Sequence, residues 1–342
     1  MNEASTRGEF SGRDNTPQSP SHHVARIPVL DGWRACSILL VLAAHWVPLG
    51  PSFLQLNYAA GAAGMALFFT LSGFLIVSFL WRGEDLRLFA VKRFARIVPL
   101  AWLAVLLLAV AGNYDWQTVA RNLLFVANLP PAALMEGGHH LWSLGVEMQF
   151  YVAVGLLVLL LGRRGLWLVP VLAAAVTMAR IIAGETISIV TWHRVDEILA
   201  GGTLALLYLT GRLPRLNIWL CALAFAICSH PESGPLQYLR PYVAAALVGS
   251  SLLSIPALIE RLLVNRPMTY IAEVSYAVYV WHGVLQHTWL GAGEKWEVYL
   301  KRPLLLALTF LAAHLSTRFM EQPIMRWSRR FRSQQPGPRL IS

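Results

Sequence analysis

The chain has 342 residues, of which 56% are hydrophobic and only 13% are charged, and its formal net charge is +10. A soluble domain of this length needs a charged shell that this composition does not supply, so an ordinary soluble protein is excluded. Because the basic residues cluster between apolar segments, we interpret them as membrane-flanking loops and not as a nucleic-acid surface.

The two ends of the chain differ in composition from the middle. Residues 1–26 are polar and rich in Ser, Pro and Gly, which predicts a disordered cytoplasmic tail. They lack the apolar core of a cleavable signal peptide. Residues 27–328 contain the apolar segments and form the predicted membrane domain, and residues 329–342 form a predicted basic cytoplasmic tail.

Apolar segments of roughly 17–25 residues, the length that crosses a bilayer as a helix, recur through the membrane domain. We predict an all-α polytopic bundle, because open strands do not cross a bilayer and no alternating pattern suggests a barrel. The ten predicted spans are 28–50, 60–80, 97–113, 141–161, 166–183, 197–211, 214–230, 241–258, 269–290 and 303–320. The weaker stretch 119–135 contains two adjacent prolines and is predicted to be a partly buried or re-entrant outer loop.

Arginine and lysine are distributed unequally over the loops, which predicts the orientation of the chain. With the N-terminus inside, the inner loops and C-terminal tail contain Arg82, Arg87, Lys92, Arg93, Arg96, Arg163, Arg164, Arg212, Arg215, Arg261, Arg266, Arg326, Arg329, Arg330, Arg332 and Arg339. The outer loops contain only Arg121, Arg194, Arg240, Lys295, Lys301 and Arg302. We therefore predict that both termini are cytoplasmic, which agrees with an even number of spans.

The first predicted span contains an arginine and a histidine, and hydrocarbon is a poor environment for either. Arg34 and His45 are eleven residues apart, which is three helical turns with a remainder of about 20°, so both lie on one helix face about 16 Å apart. Arg34 is predicted near the inner surface and His45 near the outer one. Such residues suggest function because their burial is expensive. The alternatives are a snorkelling arginine and a structural histidine.

Polar residues also lie near the outer ends of other predicted spans. Glu147 in "LWSLGVEMQFY" and His282 in "YAVYVWHGV" are predicted at a depth similar to that of His45. Arg194 and Asp196 lie at an outer boundary. A histidine with a carboxylate partner can act as a general base. The outer half of the bundle is therefore the predicted place for chemistry.

The inner side contains a pair of arginines that suits an anionic ligand. Arg93 and Arg96 are spaced i, i+3, so they lie on one side of a helical turn. Guanidinium groups bind phosphate or pyrophosphate oxygens at two points. Ordinary membrane anchoring is the alternative interpretation of this pair.

Seven motifs follow one another along the chain: "LDGWRACSILLVLAAHW" (30–46), "FFTLSGFLI" (68–76), "KRFARIVPL" (92–100), "LWSLGVEMQFY" (141–151), "RVDEILAGGTLA" (194–205), "VSYAVYVWH" (274–282) and "RFMEQPIMRW" (318–327). In this order they resemble the acyltransferase family 3 membrane proteins, over about residues 28–328. The resemblance implies an integral protein of the bacterial inner membrane. It also implies transfer of an acyl group, acetyl by preference, from acyl-CoA to a hydroxyl of a cell-surface or exported carbohydrate.

The resemblance assigns roles to individual residues. His45 takes the essential histidine role and Arg34 the role of its partner. Arg93 and Arg96 match the cytoplasmic Arg-x-x-Arg pair, and Glu147 matches the glutamate of the Trp-Ser-Leu segment. The residues expected to bind the acceptor or support the site are Ser143, Arg194, Asp196 and His282. Some family members have a fused extracytoplasmic hydrolase-like domain, for which this chain has no room, so we expect it to act alone or with a partner.

We predict that His45 is the base for acyl transfer and that Glu147 or a neighbouring carboxylate orients it. Direct transfer and an acyl-histidine relay both remain open. The expected partners are acyl-CoA, a carbohydrate or glycolipid acceptor, membrane lipid and polysaccharide-assembly proteins, with neither a metal nor nucleic acid. The alternative functions are a transporter or flippase of an acyl donor or glycolipid without chemistry, and a non-catalytic signalling or assembly component.

Overall fold

The structure is a computed structural model of the chain, and it describes residues 27–83, 85–328 and 330. The predicted tails at 1–26 and 329–342 lie outside the described residues, apart from Arg330. The described residues form helices and loops and contain no strand. The prediction of an all-α protein is therefore confirmed for this part of the chain.

The helices follow the apolar segments of the sequence. They are α1 (Pro28–Trp46), α2 (Leu56–Trp81), α3 (Leu86–Ala111), α4 (Trp116–Leu123), α5 (Trp142–Leu161), α6 (Val169–Ala183), α7 (Asp196–Leu209), α8 (Ile218–Ser229), α9 (Arg240–Leu253), α10 (Ala257–Leu263), α11 (Arg266–Gln286), α12 (Lys295–Ser316) and α13 (Gln322–Ser328). A π-helical turn, Thr317–Glu321, joins α12 to α13. Short helix α4 and the partly buried loop after it form the stretch predicted to be a partly buried outer loop.

Six helical stretches among the described residues are long and apolar enough to cross a membrane, or seven if a pair bent by 105° at residues 254–256 is one span. Each of the ten predicted spans contains a helix, but the count of ten is not confirmed. Helices α7, α8 and α9 have 14, 12 and 14 residues, fewer than the ~20 that cross a bilayer. Helix α11 is long enough at 21 residues, but it contains tyrosines and a histidine that face the interior.

The centre of the bundle is built on a close crossing of α2 and α7. A Cβ atom at Gly73 would overlap the carbonyl oxygen of Ile198, and one at Gly201 would overlap that of Thr70. Small residues let the two backbones approach, which is a common packing device between membrane helices. This crossing places the N-terminal end of α7 against the middle of α2. Helix α1 packs on the other side against α2 and α11.

The outer surface of the bundle is apolar. Exposed large side chains line the sides of α3, α5 and α6, among them Val110, Leu160 and Ile182. Contiguous exposed apolar surface on this scale indicates contact with lipid. A subset of polar residues, among them Glu147, Arg194 and His282, is buried inside the bundle, where its members line cavities or pair with one another.

Candidate functional site

One face of α1 lines two adjoining cavities in the middle of the bundle. Arg34, Ser37 and Val41 line the first cavity, and Val41, Ala44 and His45 line the second. The structure therefore places Arg34 and His45 on the same face, as their spacing predicts, with the cavities between and beside them.

Three cavities follow one another along this face. The arginine cavity is lined by Arg34, Arg93, Arg96, Glu147 and Tyr151 and has a volume of about 60 Å³. The histidine cavity is lined by His45, His140, Trp142 and Arg194 and is much larger, at about 860 Å³. A third space of about 370 Å³, the vestibule, adjoins the arginine cavity and is lined by Asp31, Arg34, Arg82, Lys92 and Arg93.

The arginine cavity contains a carboxylate beside three guanidinium groups. Ser72 Oγ donates a hydrogen bond to Glu147 Oε1 at 2.6 Å, and the Tyr151 hydroxyl also donates to this oxygen. The Arg93 guanidinium lies 5.9 Å from the centre of the Tyr151 ring. With more cations than anions on its wall, the cavity is complementary to an anionic ligand.

The π-helical turn supplies a second acid to this region. It brings Glu321, which is buried, to 3.9 Å from Arg96 Nη1. This distance is long for a hydrogen-bonded ion pair. Arg93 and Arg96 thus both face the interior cavity, which the i, i+3 spacing alone did not distinguish from anchoring at the membrane surface.

The structure does not bring Glu147 to His45, and this corrects the predicted pairing. Helix α5 begins at Trp142, which lines the histidine cavity. Glu147 is five residues further along, about 7.5 Å, and this rise carries it into the arginine cavity. The predicted common depth of Glu147 and His45 is therefore wrong. The depth of His282 does match that of His45, since their ring centres lie 5.1 Å apart.

His45 belongs to a cluster of three histidines. The ring centres of His282 and His140 are 4.5 Å apart. The Nδ1 atom of His45 lies 2.7 Å from the Val41 carbonyl oxygen, and that of His282 lies 2.5 Å from the Tyr279 carbonyl oxygen. Because a carbonyl only accepts, each Nδ1 carries a proton, and Nε2 is the nitrogen that has the lone pair in the neutral form of each ring. The backbone, and not a carboxylate, orients the His45 ring.

His140 is a cavity residue that sequence reasoning missed. It lies in the short helical turn before α5, and its Nε2 is 3.1 Å from the Val280 carbonyl oxygen. Its side chain packs against Gly283, where a Cβ atom would overlap the imidazole ring. The pair "HH" at 139–140 was the available signal. The residues around it have no helical periodicity from which a direction could be assigned.

A narrow boundary separates the arginine cavity from the histidine cavity. Val41, Met65 and Tyr279 line both cavities and form this boundary. The Tyr279 hydroxyl donates to the His140 carbonyl oxygen and lies 2.7 Å from Ser143 Oγ. Ser143 is fully buried, so its contact is with Tyr279 and not with the contents of either cavity.

Beside the histidine cavity lies the ion-pair cluster, which consists of Arg180, Arg194, Arg240, Asp196 and Glu197. All five side chains are fully buried or nearly so. Arg180 Nη1 is 2.5 Å from Asp196 Oδ2, and Arg240 Nε is 2.9 Å from Glu197 Oε1. The predicted acceptor residue Asp196 is thus the partner of Arg180 and is not part of the cavity lining.

Arg194 is the member of this cluster that reaches the histidine cavity. Its Nη2 is 3.2 Å from Glu197 Oε2, and its guanidinium carbon lies 5.5 Å from the centre of the Trp142 ring. Sequence reasoning missed Arg180 and assigned Arg240 to an outer loop. An arginine within an apolar run, such as Arg180, was the signal, because such residues are costly to bury without a partner.

The described residues contain no group of three or more His, Cys, Asp and Glu side chains arranged to hold a metal ion. In the histidine cluster one nitrogen of each ring is already bonded to a backbone carbonyl. These hydrogen bonds fix the orientation of each ring, which is what an imidazole in general acid–base chemistry needs.

Comparison with known proteins gives a family match and several relatives. The family model described as an acyltransferase domain matches residues 27–317. A putative peptidoglycan O-acetyltransferase of Bacillus subtilis is 27% identical over 89% of this chain and 56% of its own length. The peptidoglycan O-acetyltransferase of Listeria monocytogenes is 26% identical over 87% of this chain and 56% of its own. The chain thus spans little more than half the length of these two relatives.

A third relative matches over nearly its whole length. Nodulation protein 10 of Rhizobium leguminosarum is 25% identical over 90% of this chain and 94% of its own length. No solved structure matches the chain significantly.

Proposed function

Since the chain belongs to the acyltransferase domain family, we propose that it transfers an acyl group, acetyl by preference, from acyl-CoA to a hydroxyl of a cell-surface or exported carbohydrate. Two relatives, one named as a peptidoglycan O-acetyltransferase and the other as a putative one, support a carbohydrate acceptor and an acetyl group. The observation that carries the proposal is the series of cavities along α1, with arginines at one end and His45 at the other.

The donor would bind from the vestibule. Arg34 and Arg93 line both the vestibule and the arginine cavity, so they would hold phosphates of the donor together with Arg96. The extended arm of the donor would then run along α1 towards His45. Arg34 and His45 are about 16 Å apart along the helix axis, a length that an extended pantetheine arm can span.

The boundary between the cavities would have to open for this donor. The arginine cavity, at about 60 Å³, has room for a few waters, whereas ligand sites typically enclose ~300–1,000 Å³. Met65 is a flexible side chain at the boundary, and Tyr279 is held by two hydrogen bonds at its hydroxyl. Rotation of these two side chains would join the arginine cavity to the histidine cavity.

His45 would act as the base. Its Nδ1 donates to the Val41 carbonyl, so Nε2 would take the proton of the acceptor hydroxyl as its oxygen attacks the thioester carbonyl carbon. The new C–O bond forms, the C–S bond breaks, and the imidazolium returns its proton to the departing thiolate. In a relay, Nε2 itself would attack and form an acyl-histidine. Both routes use the same atom.

His282 and His140 would limit how much charge the site holds. Two protonated rings about 5 Å apart would repel each other strongly in a partly buried site. Repulsion from a neighbouring ring would therefore help a protonated His45 to release its proton within the same turnover.

We propose that the vestibule opens to the cytoplasm, that both termini are cytoplasmic and that ten helices cross a bacterial inner membrane. Arg163 lies against Gly83 and Arg212 lies over Trp167, so the loop cations gather at the vestibule end. Arg194 and Arg240, counted above as outer-loop cations, are buried in ion pairs. Removing them from the count strengthens the asymmetry that supports this orientation.

The test uses the full chain, purified and reconstituted in lipid vesicles with acetyl-CoA labelled on the acetyl group. We expect release of free CoA together with label on an added oligosaccharide or on the protein. The His45→Gln variant, which keeps a polar side chain of similar size, should release no CoA above background. If wild-type vesicles instead accumulate intact labelled acetyl-CoA in their lumen, the protein is a transporter and the proposal is wrong.

A further inference from the structure

The histidine cavity has a wall that is unusual in its charges. Its described lining residues include Arg194 and the histidines His45, His139 and His140, and they include no carboxylate. Tyr58 and Trp142 add aromatic surface. Aromatic faces commonly pack against the apolar faces of ligands. A wall whose established charge is the Arg194 cation, with no acid among its described lining residues, favours a ligand that itself bears negative charge.

Arg194 has unused hydrogen-bonding capacity at this wall. The residue is 2% exposed, and its Nε and Nη1 atoms have no hydrogen-bond partner among the described residues. A guanidinium has five N–H donors, and a buried donor left unpaired costs free energy. Because Arg194 lines the histidine cavity, its guanidinium is the charged group that an acidic ligand there would approach.

The ion-pair cluster also has a surplus positive charge. Its three arginines face two carboxylates, and the shortest contacts pair Arg180 with Asp196 and Arg240 with Glu197. Arg194 therefore shares Glu197 with Arg240. A buried charge without a full partner is unfavourable, so an anion that reached Arg194 would complete the balance.

We propose that the histidine cavity takes an acidic carbohydrate, one that bears a carboxylate or a phosphate, and that Arg194 pairs with this anionic group and so selects the acceptor. This inference rests on the proposed acyl-transfer function and deepens it by naming the class of acceptor. The donor phosphates do not compete for Arg194, because in the proposed function the arginine cavity holds them on the other side of the boundary formed by Val41, Met65 and Tyr279.

The test compares three acceptors of equal length: tetragalacturonate, which has one carboxylate on each sugar, its carboxyl-reduced form tetragalactose, and tetragalactose with one phosphate ester. The full chain in lipid vesicles is assayed with acetyl-CoA at saturating concentration. We expect kcat/KM to be at least tenfold higher for one of the two acidic acceptors than for tetragalactose. Which of the two is preferred distinguishes a carboxylate from a phosphate as the recognised group.

Variants of Arg194 connect this selectivity to the residue. In Arg194→Gln the cluster keeps two arginines and two carboxylates, so its charges balance and the fold should persist. We expect the preference for the acidic acceptor to fall to about one, mainly through KM, and Arg194→Lys to restore part of it. The control is Lys295→Gln, which removes one exposed cation at the same end of the bundle and should leave the ratio unchanged.

Three outcomes would overturn the proposal. One is a wild-type protein that acylates tetragalactose as well as the acidic acceptors. Another is an Arg194→Gln variant in which all acceptors lose rate equally, which would make Arg194 a part of the chemistry. The third is an equal loss of selectivity in Lys295→Gln, which would indicate long-range attraction only. If Arg194→Gln does not fold, the proposal is tested by the ratio of kcat/KM for the acidic and neutral acceptors in the wild type and in Arg194→Lys.

The proposal can fail separately from acyl transfer. If no acceptor is acylated, the transfer function fails, and equilibrium binding of the same three oligosaccharides still tests the cavity. Tighter binding of an acidic oligosaccharide that is lost in Arg194→Gln would support the acidic site. Equal binding of all three oligosaccharides would contradict the proposal that the cavity recognises an acidic group.

Discussion

The arginine cavity and the ion-pair cluster contain almost the same residue types but differ in what surrounds them. In the ion-pair cluster the arginines and carboxylates touch at 2.5 and 2.9 Å and leave little space. In the arginine cavity three arginines surround an open space, and Arg96 is 3.9 Å from Glu321. The first arrangement joins helices, whereas the second leaves donors free for a ligand.

The difference teaches that residue type does not distinguish a structural charge from a binding charge. Both groups are ionisable residues inside a membrane-spanning bundle, and burial of either is costly. In the ion-pair cluster protein carboxylates offset that cost for Arg180 and Arg240. In the arginine cavity Glu147 and Glu321 offset only part of it. Arg194 has both properties: it pairs with a carboxylate of the ion-pair cluster and also lines the histidine cavity.

The largest effect is expected at His45, which lies in neither the arginine cavity nor the ion-pair cluster. His45→Ala should lower the rate of acyl transfer by about 10²–10⁴-fold, as expected when a general base is removed. Donor affinity should be unchanged, because the arginine cavity remains intact. Rates and the donor Kd are measured on the same vesicles. A variant that keeps more than about a tenth of the wild-type rate would show that His45 is structural.

The next largest effect should appear in the ion-pair cluster and should concern stability. Asp196→Asn leaves Arg180 buried without its charged partner and should lower the free energy of unfolding by about 3–5 kcal/mol. The double variant Arg180→Met, Asp196→Leu should recover most of this loss, because it removes both charges. Thermal unfolding followed by size-exclusion chromatography compares the stability of the single and the double variant with that of the wild type. Equal stability of Asp196→Asn and wild type would contradict the structural assignment of this pair.

The same type of change in the arginine cavity should act on binding. Arg93→Ala and Arg96→Ala should each weaken the affinity for acetyl-CoA by about 1–3 kcal/mol, the value of a charge-assisted contact with phosphate. The unfolding temperature should change little. Arg87→Ala is the matched control, because Arg87 is an exposed arginine on the same helix. An unchanged Kd for acetyl-CoA in both cavity variants would show that Arg93 and Arg96 do not bind the donor and serve only as membrane anchors.

The smallest effect is expected at the boundary between the cavities. Ser143→Ala removes one of the two hydrogen bonds at the Tyr279 hydroxyl and should lower kcat only a few-fold, since one such bond contributes about 0.5–1.5 kcal/mol. Tyr279→Phe, which removes both bonds, should have the larger effect. A loss of a hundredfold or more in Ser143→Ala would instead assign the serine a direct part in the chemistry.

The parts of the site that could be predicted from the sequence lie within single helices. The spacing of Arg34 and His45 placed them on one face of α1, and the structure has them there. The i, i+3 spacing of Arg93 and Arg96 likewise placed them side by side. Helical periodicity relates residues of one helix, so these relations do not depend on how the helices pack.

The predictions that failed or were not confirmed, and the residue that was missed, depend on relations between helices. Glu147 was assigned the depth of His45. The helical repeat of α1 or of α5 does not predict how far one helix is shifted along its axis relative to the other. The count of ten spans rested on apolar length and is not confirmed, because α7, α8 and α9 are short and α11 contains buried tyrosines and a histidine. His140 lies in a turn whose direction no periodic pattern predicts.

The sequence by itself determined that this protein is helical, that it is built for an apolar environment and that α1 has a cation and an imidazole on one face. These properties follow from composition and from the 3.6-residue helical repeat, which are local. The tertiary structure alone decided that Glu147 joins the arginines, that His282 and His140 join His45, and that Arg194 lies between an ion-pair cluster and a cavity. The physical reason is that helices pack where small residues such as Gly73 and Gly201 let backbones approach. The resulting offsets between helices determine which polar groups meet.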